Sequence, residues 1–296
     1  MKNNLKILLL GLLVSSLNAG EVQTGKGTFE VEGGFIGLNK AITSDITTYS
    51  LIEQHKNIFK SKWFYKYNLT WYDSEDAVQA QNSINSSSDS SPLSSTTSST
   101  TLGVPSIDYR LQGLDINFVV GKDIVYKGEN DYVGVGCVLG LSIPWIDSKK
   151  DDDNDDDSSD DAMDAMEKSK TELYTYKIGP SITARKTISK YFTIYGSGTY
   201  AYQTGTMKND YADSDLSVNG IFQEYDFGIR FQPVSVDYKL GWLSISPRAY
   251  ATVGYRYTSW DLSDINIDVT GTGTSITSSD FNMNSSIMYF GLGYSF

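Results

Sequence analysis

The last nine residues of the chain, 288–296, read MYFGLGYSF and decide the fold class. An apolar residue stands at every second position, and glycine, serine or a single tyrosine stands between. A period of two is the period of a β-strand, whose successive side chains point to opposite faces of a sheet. The segment therefore predicts a strand with one apolar face, formed by Met288, Phe290, Leu292, Tyr294 and Phe296.

The same alternation recurs upstream, most clearly in residues 63–72 (WFYKYNLTWY). The phase of the alternation changes once, at Gly113, and a glycine at such a point predicts a β-bulge. The segment 45–54 is the weakest, and without the first two strands the count falls from ten to eight. The ten predicted strands span about 27–37, 45–54, 60–72, 107–120, 131–145, 171–184, 190–204, 218–232, 242–258 and 281–296.

Strands with one apolar and one polar face suit a barrel in a membrane, where apolar residues face lipid and polar residues face the lumen. Because lipid offers no hydrogen-bond partners, the first strand must pair with the last. In the first strand, Phe29, Val31 and Phe35 are predicted to face lipid, and Glu30 and Glu32 the lumen. The predicted fold class is all-β, a closed antiparallel transmembrane β-barrel of ten strands, with eight as the alternative.

The first 19 residues have the pattern of a Sec-type signal peptide. Lys2 and Lys6 precede the apolar run ILLLGLLV at 7–14, and a cut after Ala19 would leave 20–296 as the barrel domain. Beyond this segment no apolar run approaches the roughly 20 residues that a transmembrane helix needs. The sequence therefore predicts export of a mature chain that crosses the membrane with strands.

Composition agrees with strands and excludes some partners. The chain has 21 Tyr, 12 Phe and 5 Trp but only 6 Pro, and aromatic residues favour strands and membrane interfaces. The net charge of −12 argues against a nucleic-acid partner. Cys137 is the only cysteine, so an internal disulfide is impossible.

Connection lengths indicate the orientation of the barrel. Bacterial barrels have short periplasmic turns, longer extracellular loops and periplasmic termini. With the N-terminus inside, four of the five predicted external connections are longer than every internal one. Long extracellular loops are therefore predicted near 73–106, 146–170 and 259–280.

The segment 288–296 resembles the closing strand of bacterial outer-membrane β-barrels, in which a terminal aromatic residue follows alternating hydrophobic residues. The resemblance is close over these nine residues and is one of pattern alone over the remaining mature chain. It implies a bacterial outer-membrane location, outer-membrane lipid as a partner, and the barrel-assembly machinery as a partner during insertion. Met288, Phe290, Leu292, Tyr294 and Phe296 would form the assembly signal.

Charged residues predicted on the inner face offer a candidate lumen network. Six acidic and six basic groups balance, which favours a salt-bridged interior over a conducting pore, because small barrels are mostly filled by side chains. The twelve are Glu30, Glu32, Lys66, Asp108, Arg110, Asp115, Lys177, Glu224, Asp226, Arg230, Arg248 and Arg256.

Catalytic, cofactor-binding and metal-binding residues are not predicted. His55 is the only histidine; it is placed in a periplasmic turn, and no Ser/His/Asp set can be assembled around it. The run at 151–161 (DDDNDDDSSDD) begins like an EF-hand loop, but Asp156 and Ala162 replace the required glycine and glutamate. The run therefore predicts loose attraction of divalent cations rather than a formed calcium site.

The favoured function is that of a non-enzymatic outer-membrane protein whose barrel anchors surface loops in a structural or interaction role. A narrow pore for small solutes or ions is the first alternative, and an outer-membrane barrel enzyme is the second.

Overall fold

A computed structural model gives the architecture of the chain. The residues that the structure describes are 20–33, 42–58, 61–74, 78–80, 107–125, 131–149, 170–209, 216–233, 238–240, 243–245, 249–268, 275–278 and 281–294. Within these ranges no helix is long and apolar enough to cross a membrane. The predicted signal peptide, Phe35, Phe296 and the aspartate run lie outside the described residues.

Ten long strands form one antiparallel sheet. They are β1 (Gly20–Gly33), β2 (Ile42–Ile58), β3 (Trp63–Ser74), β5 (Ile107–Asp123), β6 (Tyr132–Lys149), β7 (Lys170–Thr187), β8 (Phe192–Asn209), β9 (Leu216–Phe231), β12 (Ala249–Asp268) and β14 (Phe281–Tyr294). Four short strands accompany them: β4 (Val78–Ala80), β10 (Tyr238–Leu240), β11 (Leu243–Ile245) and β13 (Ser275–Ser278). β4 pairs with the first residues of β5, β13 pairs with the last residues of β12, and β10 and β11 form a separate hairpin.

The sheet closes on itself. β1 pairs with β2 on one side and with β14 on the other, and β12 pairs with both β14 and β9. Every long strand therefore has two neighbours, which satisfies the backbone hydrogen bonds that lipid cannot satisfy. The prediction of a closed antiparallel barrel of ten strands is confirmed, and the alternative of eight is wrong. Below, the terminal end is the end with Gly20 and Tyr294, and the loop end is the opposite one.

The strand boundaries differ most from the prediction in β1 and β12. β1 begins at Gly20 rather than near 27, because its polar first half also pairs with β14. β12 begins at Ala249 rather than near 242 and runs on to Asp268. The connection 232–248 at the terminal end, which contains the β10–β11 hairpin, is therefore longer than the connection 210–215 at the loop end, so the sorting of connections by length is weaker than predicted.

The predicted bulge at Gly113 is also wrong. The register of β5 with β3 and with β6 runs through Gly113 without a shift. The glycine instead leaves room for an aromatic ring, since a Cβ there would lie 2.1 Å from Cζ of Tyr72, its cross-strand partner. Three more lumen tyrosines lie on the glycine directly across the strand pair: Tyr195 on Gly228, Tyr250 on Gly293 and Tyr289 on Gly254.

The two faces of the barrel have the predicted polarity on most strands. On β14, Met288, Phe290 and Leu292 point outward and are about half exposed or more, while Tyr289 is buried in the lumen. β1 has the opposite phase: Phe29 and Val31 are buried in the lumen, and Glu30 and Glu32 are exposed outside. The prediction for β1 failed because its outward positions are polar and its inward positions join an apolar cluster.

Candidate functional site in the barrel lumen

β12 shows how the lumen is filled from one end to the other. Its buried inward side chains are, from the terminal end to the loop end, Tyr250, Thr252, Arg256, Thr258, Trp260 and Leu262. Tyr250, Arg256 and Trp260 each contact side chains of other strands at a different height in the lumen. The lumen is therefore layered, with polar groups toward the terminal end and apolar groups toward the loop end.

Arg256 is the hub of the central layer. Its guanidinium pairs with Asp226 Oδ2 at 3.1 Å and donates to Gln23 Oε1 at 2.9 Å. It also donates to Ser50 Oγ at 3.0 Å and to Thr70 Oγ1 at 3.2 Å. These partners come from β9, β1, β2 and β3, so one side chain connects four other strands across the lumen.

A second ion pair lies beside the first, toward the loop end. Lys177 on β7 is fully buried, and its Nζ lies 2.5 Å from Asp115 Oδ1 on β5. The same carboxylate accepts hydrogen bonds from Asn117 and Ser142. The Lys177 ammonium also lies 3.7 Å from the ring centroid of Phe222. A buried charge is tolerated only when it is paired and hydrogen-bonded, and both partners of this pair are.

Tyrosines and one more ion pair occupy the lumen near the terminal end. Arg230 lies 3.6 Å from Glu21 Oε2 and stacks on the ring of Tyr250, with its guanidinium carbon 3.6 Å from the ring centroid. The hydroxyl groups of Tyr195 and Tyr289 are 2.7 Å apart, and Tyr289 also donates to Asp226. This layer is therefore continuous with the Arg256 hub.

Large apolar side chains fill the lumen toward the loop end. Phe29 stacks on Tyr72 with a centroid distance of 5.6 Å and lies 5.7 Å from Trp260. Trp260 in turn lies 5.8 Å from Phe222 and donates from Nε1 to Ser142 Oγ at 3.0 Å. Side chains thus cross the described lumen at every layer. Their contacts are apolar toward the loop end and ionic toward the terminal end.

The described residues line one small interior cavity and one larger cleft at the terminal end. One enclosed cavity of about 10 Å³, lined by Lys66, Ser197 and Glu224 among others, has room for about one water molecule. A cleft of about 480 Å³ opens between the ends of β6, β7 and β8. At that cleft Asp131 accepts hydrogen bonds from Lys186 and from Thr187 N–H, which together lower the pKa of Asp131 to about 2.

The outer face decides what kind of barrel this is. Apolar side chains of β5 to β14 are exposed there, including Phe118, Leu139, Ile178, Phe227 and Met288 at 40–67%. Tyrosine and tryptophan stand at both ends of this belt, as they do at membrane–water interfaces. The chain is a membrane-spanning β-barrel of the outer-membrane type.

Seven of the twelve predicted lumen charges lie inside the barrel and form or border the networks above: Lys66, Asp115, Lys177, Glu224, Asp226, Arg230 and Arg256. The side chains of Asp108 and Arg248 lie outside the described residues. Sequence reasoning missed Glu21 and Gln23, which are buried lumen partners in a segment that was not predicted as a strand.

Three of the predicted lumen charges are wrong, because they point outward. Glu30 and Glu32 follow the reversed phase of β1. Arg110 follows the unbroken phase of β5 and forms a two-hydrogen-bond pair with Asp73 on the outside, at 3.0 and 2.9 Å. Gln112 adds a third hydrogen bond to Asp73 at 2.8 Å.

His55 was predicted in a turn, but it lies within β2 and points outward. Its Nε2 contacts the carboxylate of Glu53, which also accepts a hydrogen bond from Tyr67. The imidazole lies 4.9 Å from the Tyr65 ring between centroids. Among the residues with described contacts, no serine hydroxyl lies against this histidine.

The remaining predictions concern metals and the assembly signal. The described part of the chain contains no group of three or more His, Cys, Asp or Glu residues that could hold a metal ion. Met288, Phe290, Leu292 and Tyr294 share the outer face of β14 as predicted. Their part in assembly stays a prediction, as does loose cation binding at the aspartate run.

No family model and no curated protein sequence matches the chain. Among solved structures it is similar to the outer membrane protease OmpT from Escherichia coli (TM-score 0.46, 10% identity, 95% of this chain and 98% of that chain). It is also similar to Ail, the attachment invasion locus protein of Yersinia pestis (0.32, 9%, 94% and 100%), and to the toluene transporter TodX of Pseudomonas putida (0.31, 8%, 96% and 91%). These three barrels differ in activity.

Proposed function

We propose that this protein is a non-conducting, non-enzymatic barrel that anchors surface loops in the bacterial outer membrane. The observation that carries the proposal is the interlocked lumen. Arg256 and Lys177 hold ion pairs in its centre, and Phe29, Tyr72 and Trp260 stack above them. Porins that conduct leave a water-filled channel and use about 16–18 strands. A ten-stranded barrel with this interior supports an anchor.

Planar-bilayer recording tests the closed lumen. The purified, refolded protein is expected to give no unitary conductance steps. The double variant Trp260→Ala/Arg256→Ser, which removes one side chain from each of two layers, is the positive control and is expected to conduct intermittently. Stable steps from the unaltered protein would support the narrow pore instead.

Loop exposure tests the anchor itself. The proposal expects residues 82–101, a Ser/Thr tract, to lie outside the cell. An epitope inserted after residue 90 should be labelled by antibody, and removed by protease, on intact cells. A matched insertion in the opposite connection, after residue 235, should react only after the membrane is permeabilised. Reversed labelling would contradict the orientation, and no labelling of intact cells would contradict the anchor role.

The outward His55–Glu53 pair keeps an enzymatic function as a second candidate, because a carboxylate-oriented imidazole can act as a general base. Phospholipid and lipid A hydrolysis in mixed micelles tests it, with His55→Ala as the matched control. The anchor proposal expects no turnover by either protein. Turnover that is lost in His55→Ala would replace it with a lipid-directed hydrolase.

A further inference from the structure

The outer face of the barrel has one polar sector. Thr24, Lys26 and Thr28 of β1 and Asp45 of β2 are all exposed and point outward. We call these four residues the β1–β2 stripe. β1 is the one barrel strand on which the described residues include no large, exposed hydrophobic side chain. The other nine strands each expose at least one.

The stripe lies within the apolar belt. Strand register places Lys26 beside Met288, which is 67% exposed, and Thr24 beside Phe290, which is 47% exposed. In the next strand along, β12, Tyr255 and Val253 continue the same two levels. A charged side chain that faces hydrocarbon is destabilising, most of all near the bilayer midplane. The stripe is therefore better matched to a protein surface than to lipid.

The charges of the β1–β2 stripe indicate which kind of protein surface would cover it. Lys26 is in register with Thr47, so Asp45 lies only two residues further toward the loop end on the neighbouring strand. Lys26 and Asp45 nevertheless form no ion pair with each other or with another described residue. A two-fold axis parallel to the barrel axis keeps each residue at its own height and brings the two stripes together. Lys26 of each copy then lies within about 7 Å along the strand direction of Asp45 of the other, within reach of the lysine side chain. Such an interface is self-complementary, as two-fold contacts require.

We propose that the β1–β2 stripe is the contact face of a homodimer of this barrel. Two reciprocal Lys26–Asp45 ion pairs form its polar centre, and the hydroxyl groups of Thr24 and Thr28 add hydrogen bonds. Tyr49 and Met288 flank the stripe and supply an apolar rim. An anionic lipid headgroup would match Lys26 but would be repelled by Asp45, so a second copy fits the stripe better than lipid does.

Site-specific cross-linking tests the position of the interface in the full chain, inserted in its membrane. Cys137 is exposed and is first replaced by serine. Thr24→Cys in that background is expected to give disulfide-linked dimers on mild oxidation. Ile178→Cys, on β7 at the far side of the ring of strands, is the matched control and is expected to stay monomeric. Equal cross-linking of the two variants, or none at Thr24→Cys, would overturn the proposal.

Charge exchange tests the chemistry of the interface. Lys26→Glu and Asp45→Lys are each expected to weaken dimerisation about tenfold, and the double variant Lys26→Glu/Asp45→Lys to restore it. A heat-induced shift in gel mobility confirms that each variant is folded. Failure of the double variant to recover would overturn the pairing. The dimer should also form in vesicles of phosphatidylcholine alone; dimers that require an anionic lipid would assign the stripe to lipid instead.

Discussion

Removal of the Arg256 guanidinium should be the most destabilising single change in the lumen. Arg256→Met keeps much of the side-chain volume but leaves Asp226, which is less than one-tenth exposed, without its ion-pair partner. Breaking a buried ion pair by deleting one partner costs about 3–5 kcal/mol. Because Tyr289 still donates to Asp226, we expect a loss near the lower end, about 3 kcal/mol.

Guanidinium-induced unfolding of the barrel in lipid vesicles, followed by tryptophan fluorescence, measures this loss. Two comparison variants separate the ionic effect from packing. Arg256→Met/Asp226→Leu removes both charges and should recover much of the lost stability, because an apolar pair of similar volume can replace a buried ion pair. Arg110→Met breaks the partly exposed outer pair with Asp73 and should cost less than about 1 kcal/mol.

Unfolding of Arg256→Met within about 1 kcal/mol of the parent protein, the range expected of an exposed pair, would contradict a stabilising role of the buried Arg256–Asp226 pair. A double variant that is less stable than Arg256→Met would contradict it as well. Either result would mean that water or neighbouring hydroxyl groups already compensate the buried carboxylates, and that the hub does not connect the strands energetically.

Three further changes probe other parts of the barrel. Gly113→Ala should cost about 1–3 kcal/mol by overpacking against Tyr72, whereas Gly196→Ala, where a Cβ would meet its nearest atom at 3.5 Å, should be neutral in the same unfolding assay. The folded-state pKa of Asp131 is lowered to about 2. The stabilisation that its carboxylate contributes is therefore complete above the unfolded-state pKa and is lost as the pH falls through the folded-state pKa. The Tm difference between the parent and Asp131→Asn should shrink between about pH 4 and pH 2. Phe296→Ser should reduce the amount of folded barrel in the outer membrane of growing cells but not refolding in detergent, and an equal loss in both would remove Phe296 from the assembly signal.

Local alternation predicted most of the barrel. The odd positions of β3 and the even positions of β7 and β14 were assigned correctly to the outer face, because the period of two is a property of the strand itself. The same reasoning gave the wrong phase for β1. Phe29 and Val31 are apolar, yet they join Tyr72 and Trp260 inside the lumen, and a polar outer face such as that of β1 is indistinguishable from a polar inner face by periodicity alone.

Gly113 shows a second limit of the sequence. A glycine at an apparent change of phase predicted a bulge, but the structure explains it by the ring of Tyr72, which lies 41 positions earlier in the chain and directly opposite in the sheet. Only the register of β3 against β5 brings the two together.

The sequence by itself determined that the chain forms amphipathic strands and that the interior carries charges of both signs. It left ten and eight strands open, and the pairing of β1 with β2 and with β14 decided for ten. It did not determine which charges meet. Arg256 reaches Ser50 across 206 residues and Gln23 across 233. These contacts depend on the register stagger between neighbouring strands, added up around the closed sheet. All ten strand pairings contribute to that sum. Alternation is local and can be read from neighbouring residues, whereas the partners across a lumen are fixed only when the barrel closes.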